Sequence, residues 1–146
     1  MWRILAISLE SIATLPAALS TLEVSGSLAG QPKDTVLLDG EKLFELAARC
    51  FCRAIKIRND DVLLWYELAL NYYKRSLRHR GDGNNRKSLI DMSVKAVKHS
   101  IELLPTRWTN WNLLGILCAT IGKFDWIFYN CRIIVCDFCF YNFRGE

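Results

Sequence analysis

The chain has 146 residues, 51% hydrophobic and 23% charged, with 19 Lys and Arg against 15 Asp and Glu for a formal charge of +4. That length suits one domain with a moderate core, and the composition is ordinary for a soluble protein. So mild a charge gives no case for nucleic-acid binding, which normally shows as a concentrated basic face. Three prolines and eight glycines leave room for long helices.

Residues 1–20 carry Arg3, an apolar run over residues 4–9 and small residues near Ala18. This outline is that of a secretory signal, but Glu10 cuts the apolar run to the shortest length such a segment tolerates. Without a signal, Cys50, Cys52, Cys118, Cys131, Cys136 and Cys139 are expected as reduced thiols packing as small apolar groups. In the same stretch Trp2, Leu5, Ala6 and Leu9 fall at i, i+3, i+4 and i+7. That spacing predicts a helix with the four side chains on one face. Residues 15–39 follow, punctuated by Pro16, Gly26, Gly30 and Pro32, and are expected as an irregular insertion.

The next predicted helix carries Ala47, Phe51 and Ala54 and ends near Asn59. Asp60 and Asp61 read as start signals for another, because negative charge is favourable at a helix N-terminus. On it Trp65, Leu68, Ala69 and Tyr72 repeat the offsets of the first face. Glu41, Glu45 and Glu67 are expected at helix starts or on exposed faces. Residues 78–89, RHRGDGNNRKSL, mix glycine, asparagine and charge and are predicted as a flexible solvated loop. Ser93, Val97 and Ser100 then share a helix that Pro105 stops, since proline lacks the amide donor and clashes with the preceding turn. Trp111, Leu114, Gly115 and Cys118 give the tryptophan face a third time.

These faces follow W-x2-L-G-x2-Y, and the helix of Ala47, Phe51 and Ala54 follows the A-x3-F of the tetratricopeptide repeat, a helix pair of about 34 residues. Amphipathic core helices of an unrelated bundle would explain each stripe. They would not explain a shared phase: Trp65 lies six residues after Asn59, and Trp111 six after Pro105. The small residue of each face, Ala6, Ala69 or Gly115, would let a neighbouring helix approach closely. Trp65 and Trp111 are 46 residues apart and Trp2 and Trp65 are 63 apart. Both exceed one repeat, which puts insertions near residues 78–89 and 15–39, each between the two helices of a repeat. The expected fold class is all-α: a right-handed tetratricopeptide-repeat helix-pair solenoid, about three pairs over residues 1–123.

The phrases LFELAARCFCRAIKI, LLWYELALNYYKRS, VKAVKHSIELLP and NWNLLGILCA, in that order, resemble the large tetratricopeptide scaffold subunits of the superkiller complex. MWRILAISLESIATL resembles the helix that precedes them in that family. The resemblance implies a non-catalytic scaffold without cofactors. It would hold an RNA helicase and a WD-repeat protein together for 3′-to-5′ RNA decay by the cytoplasmic exosome. It implies a cytoplasmic location, with the nucleus as a second compartment, protein partners, indirect or weak RNA contact and no membrane. The likeness stops at Lys123. Phe124, Ile127, Cys131 and Ile134 can still be laid on the positions of a second helix, but residues 124–146 are unusually aromatic and cysteine-rich. A truncated or alternative end, such as translated intron, is the expectation for that tail.

Three features suggest other chemistry. Cys131-x4-Cys136-x2-Cys139 is short of a zinc ligand set, and neither His79 nor His99 has a partner at ligand spacing, so no metal is expected. Residues 126–143 are barely long enough to span a bilayer. Arg132 and Asp137 near their centre would each cost about 2.5–3.5 kcal/mol. The run Lys74, Arg75, Arg78, Arg80, Arg86 and Lys87 could touch phosphates without base specificity, or be simply a solvated face. No nucleophile elbow, phosphate-binding glycine loop or zinc-protease motif occurs. The runner-up to the scaffold is a small adaptor that binds a peptide of an unrelated partner. Terminal repeats normally carry a polar outer face; both ends here are apolar, so marginal stability is expected.

Overall fold

Five helices and one short ribbon account for the secondary structure of the residues that the computed structural model describes, 1–15, 22–25, 35–79 and 82–122. In chain order they are α1 (Trp2–Ala13), β1 (Leu22–Ser25), β2 (Thr35–Leu38), α2 (Gly40–Ile57), α3 (Val62–Arg78), α4 (Gly83–Leu103) and α5 (Trp108–Thr120). The architecture is all-α apart from the ribbon.

Aspartates start the three longest helices. The Asp39 carboxylate accepts from the Lys42 amide at 2.9 Å, Asp61 from Leu63 at 3.0 Å and Asp82 from Asn85 at 3.2 Å. Each satisfies a helix-end amide that would otherwise lack a partner, worth about 1 kcal/mol. The third cap corrects the loop expected at residues 78–89. Helix α3 runs through Arg78 and α4 starts at Gly83, so most of that segment is helix, with Leu89 and Ile90 buried. An apolar pair in need of cover, behind a strong capping residue, outweighs the local glycine and asparagine. The other insertion is also more regular than expected. β1 and β2 pair antiparallel in the register Leu22↔Leu38 to Ser25↔Thr35, and β2 leads straight into the Asp39 cap.

Each helix packs on its neighbours in sequence, α1 on α2, α2 on α3, α3 on α4 and α4 on α5, and α3 also touches α5. The α1–α2 pair is antiparallel. At one end the Arg53 guanidinium lies 4.8 Å from the centre of the Trp2 ring. At the other, Arg78 donates to the Ala13 carbonyl at 2.7 Å while lying over the Phe44 ring. The α3–α4 pair is antiparallel too, sewn by two buried serines. Ser93 donates to the Ala69 carbonyl at 2.7 Å, and two turns further on Ser100 donates to the Val62 carbonyl at 3.0 Å. Small side chains bring these helices close, and their hydroxyls find backbone acceptors rather than going unsatisfied.

Apolar burial falls into two clusters. The first is built on α1, α2 and the start of α3, with Leu9, Leu43, Phe44, Phe51 and Leu64 among its members. The second joins α3, α4 and α5 through Ala69, Ile90, Val97, Leu114 and Leu117. Trp65 packs against both.

Candidate interaction surface

Two inter-helix turns define the geometry on which any surface of this chain is built. Helix α2 ends at Arg58 with φ −137° and ψ 86°, and α4 ends at Leu104 with φ −146° and ψ 87°. The residues that start the following helices match as well: Asp61 has φ −81° and ψ 100°, Arg107 φ −79° and ψ 102°. Both turns are closed by an indole. Trp65 Nε1 donates to the Asn59 carbonyl at 2.7 Å, and Trp111 Nε1 donates to the Pro105 carbonyl at 2.7 Å. The six-residue phase in the sequence is therefore the span of one side-chain hydrogen bond, made twice. Before Pro105, proline sterics keep Leu104 out of the helical region. In the first turn Asn59 holds the place, and the Arg58–Asp61 ion pair at 2.8 Å and the Asp61 cap stand in for the ring.

A polar strap joins α1 to α3. Arg3 donates to Glu67 through Nε at 2.9 Å and Nη2 at 2.6 Å, a two-pronged pair that holds the guanidinium pKa above its usual range. Glu10 accepts from Asn71 Nδ2 at 2.7 Å and from Lys74 Nζ at 2.6 Å. With Arg78 bonded to Ala13, these partners lie 61 to 65 residues apart in a constant direction, so α1 and α3 run parallel. That shift matches the 63 residues between Trp2 and Trp65. Glu10, which reads in the sequence only as a break in an apolar run, is 12% exposed at its side chain and is the centre of this strap. Its role was recoverable from the sequence by sliding one tryptophan helix over the next and matching charges.

Of the repeat positions, Ala6, Ala47, Phe51, Ala54, Leu68, Ala69 and Leu114 are buried. Trp2, Leu5, Trp65, Tyr72 and Trp111 are partly buried against the two clusters, and Pro105 lies exposed in its turn. Gly115 differs from Ala6 and Ala69: a Cβ built on it meets nothing within 4 Å, so no described helix approaches it closely. Around it α5 presents Ile116, and Trp108 at the helix start is 71% exposed. The residues assigned to a packing helix there, Phe124, Ile127, Cys131 and Ile134, lie outside the described residues.

The basic run is largely committed to internal contacts. Lys74 pairs with Glu10, Arg75 pairs with Glu41 at 3.0 Å, and Arg78 caps the end of α1. Lys87 is exposed, Arg86 half-buried, and Arg80 lies outside the described residues. The carboxylates are similarly engaged, Glu41 with Arg75 and His79, and Glu67 with Arg3. Cys50 and Cys118 are each 1% exposed, one in each apolar cluster. Burial pushes the Cys50 thiol up, with Arg53 opposing. Burial also raises the Tyr72 phenol, and the neighbouring Cys52 adds to the effect.

Among the described residues no cluster of three or more His, Cys, Asp or Glu is placed to hold a metal ion. None of their helices is long and apolar enough to cross a membrane. The cysteine group at residues 131–139 and the apolar stretch at 126–143 fall outside them. What the described residues present instead is a twice-built turn, a charged strap between parallel helices and an exposed face on α5.

No family model matches the chain. Curated proteins do. Superkiller complex protein 3 of Mus musculus is 30% identical over 105 residues, 69% of this chain and 7% of that protein. Superkiller complex protein 3 of Homo sapiens is 25% identical over 125 residues, 84% of this chain and 8% of the relative. Tetratricopeptide repeat protein 37 of Xenopus laevis is 26% identical over 125 residues, again 84% and 8%. The chain thus spans less than a tenth of the length of these relatives. It is a distant homologue of a short segment of the superkiller complex protein 3 and tetratricopeptide repeat protein 37 group.

Proposed function

We propose that the chain is a stretch of tetratricopeptide-repeat solenoid that acts as a non-catalytic protein scaffold of the superkiller type. The observation that carries this is the twice-built turn, with matched backbone angles and an indole bond to the carbonyl six residues back. A unit that recurs with its joint intact is what stacking of helix pairs requires, because each pair buries its apolar face only against the next. The parallel strap from α1 to α3 supports the same reading, as it fixes equivalent helices side by side. On this proposal α1 with α2 and α3 with α4 are two pairs, α5 begins a third, and its exposed face is where a further helix stacks.

The partners of such a scaffold would be a helicase and a WD-repeat protein, and its process 3′-to-5′ RNA decay with the cytoplasmic exosome. Support for this comes from the likeness to superkiller complex proteins. The absence of catalysis is supported by how the carboxylates are used: Asp39, Asp61 and Asp82 cap helices, and Glu10, Glu41 and Glu67 are tied into ion pairs. Affinity capture of the tagged chain from its own cells tests the proposal. Co-purification of the helicase and WD-repeat subunits is the expected result. Recovery of an unrelated ligand without either subunit would replace the scaffold by a peptide-binding adaptor.

A further inference from the structure

Helix α2 carries Arg49, Arg53 and Lys56 at i, i+4 and i+7, which places them on one face. Beside this face lies an open groove of about 430 Å³ that also takes in Tyr72 and Arg75 of α3 and Met92 of α4. Four cations therefore line it against one carboxylate, Glu45. Two of the four already have acidic partners, Arg49 in Glu45 at 3.0 Å and Arg75 in Glu41 at 3.0 Å. The others do not: Arg53 stacks over the Trp2 ring, and neither it nor Lys56 forms an ion pair among the described residues. Both are exposed. Between the cations the lining is apolar, from Ala48 and Met92.

We propose that this groove docks an acidic, extended segment of a partner protein bearing one apolar anchor side chain. From Arg49 to Lys56 the cationic stripe is about 10 Å long at the helix rise, the length of about three residues of extended chain. Carboxylates spaced along such a segment meet the uncompensated Arg53 and Lys56, and the anchor enters beside Met92. Charge complementarity of this kind sets partner choice and association rate. A nucleic-acid strand fits less well, because sequence-tolerant binding of single strands needs aromatic faces for base stacking. The aromatic residue here, Tyr72, is packed against the first apolar cluster. The proposal draws on the scaffold reading only in having a protein partner; the groove binds peptide whichever assembly the chain serves.

Fluorescence anisotropy on the full chain tests it. The probes are a fluorescein-labelled peptide alternating glutamate and leucine, a lysine–leucine peptide of equal length and an oligouridine. The acidic peptide is expected to bind alone and to weaken as salt is added. The double substitution Arg53→Glu with Lys56→Glu is expected to lower its affinity about tenfold or more. Lys87→Glu, the same charge change outside the groove, should leave it unchanged. Arg53→Gln with Lys56→Gln, checked for native helicity by circular dichroism, serves if the glutamate variant does not fold, and should give a smaller loss. Tighter binding of oligouridine, equal binding of both peptides, or a Lys87→Glu loss as large as that of the double variant would each overturn the proposal. Because capture of the helicase and WD-repeat subunits is a separate measurement, failure of the groove and failure of the scaffold are told apart.

Discussion

The turns at residues 58–61 and 104–107 follow nearly the same backbone path with unrelated side chains: Arg, Asn, Asp and Asp in one, Leu, Pro, Thr and Arg in the other. In the second, proline removes conformational freedom before folding begins, and no side chain caps α5. In the first nothing is pre-set, and the Asp61 cap and the Arg58–Asp61 pair hold the shape after it forms. What the two share is the indole six residues on. The shape of the joint is thus specified by the tryptophan, and the turn residues are interchangeable ways of reaching it.

The sharpest way to break the comparison is to delete each indole. Trp65→Ala should cost about 3 kcal/mol in urea unfolding, and Trp111→Ala about 2 kcal/mol. The difference arises because Trp65 packs against both apolar clusters and Trp111 against one. Equal losses would mean that the joint between clusters contributes nothing extra. Next comes the strap, which braces α3 but has no counterpart among the described contacts of α5. Glu10→Ala, which leaves Asn71 and Lys74 without their carboxylate, should cost about 2 kcal/mol.

The phenylalanine variants isolate the indole N–H. Trp65→Phe and Trp111→Phe should each cost about 1 kcal/mol, and by nearly the same amount. Unequal values would show that matched geometry hides different energetics. Asp61→Ala should cost about 1 kcal/mol through the lost cap. Pro105→Ala should cost about 0.5 kcal/mol, acting mainly on the unfolded chain. Those two measurements put the two ways of specifying one turn on a common scale.

A smaller effect distinguishes the α2 side in alkali. Burial raises the folded pKa of the Cys50 thiol above its ordinary 9.0. The unfolded thiol therefore ionises first, and the stability linked to it is full below that value and lost as pH rises through the folded one. Chemical unfolding above about pH 9 should show a decline that Cys50→Ala reduces. Tyr72, raised in the same way, leaves a remainder in a higher window.

Much of the helical layout was legible in the sequence, and for a physical reason. Trp2, Trp65 and Trp111 with their partners at helical spacing reveal buried faces, since apolar side chains must recur with the helix period to share one core. Pro105 and Asp61 act on their own chain neighbours, so their effects could be read locally. Residues 78–89 read as loop because glycine and asparagine are local signals, whereas burial of Leu89 and Ile90 depends on what stands opposite. The β1–β2 pairing was equally hidden, as its partners are chosen across an intervening stretch.

The sequence by itself determined the helix faces, the phase between turn and tryptophan, and the family likeness that rests on them. The tertiary structure decided which polar groups would meet. Glu10 reaches Asn71 and Lys74, Arg3 reaches Glu67, and Arg49, Arg53 and Lys56 come to line a groove with Arg75. Periodicity fixes the direction of a side chain around its own helix axis. The partner it meets depends on the rotation and register of another helix, and those are set only when the cores close.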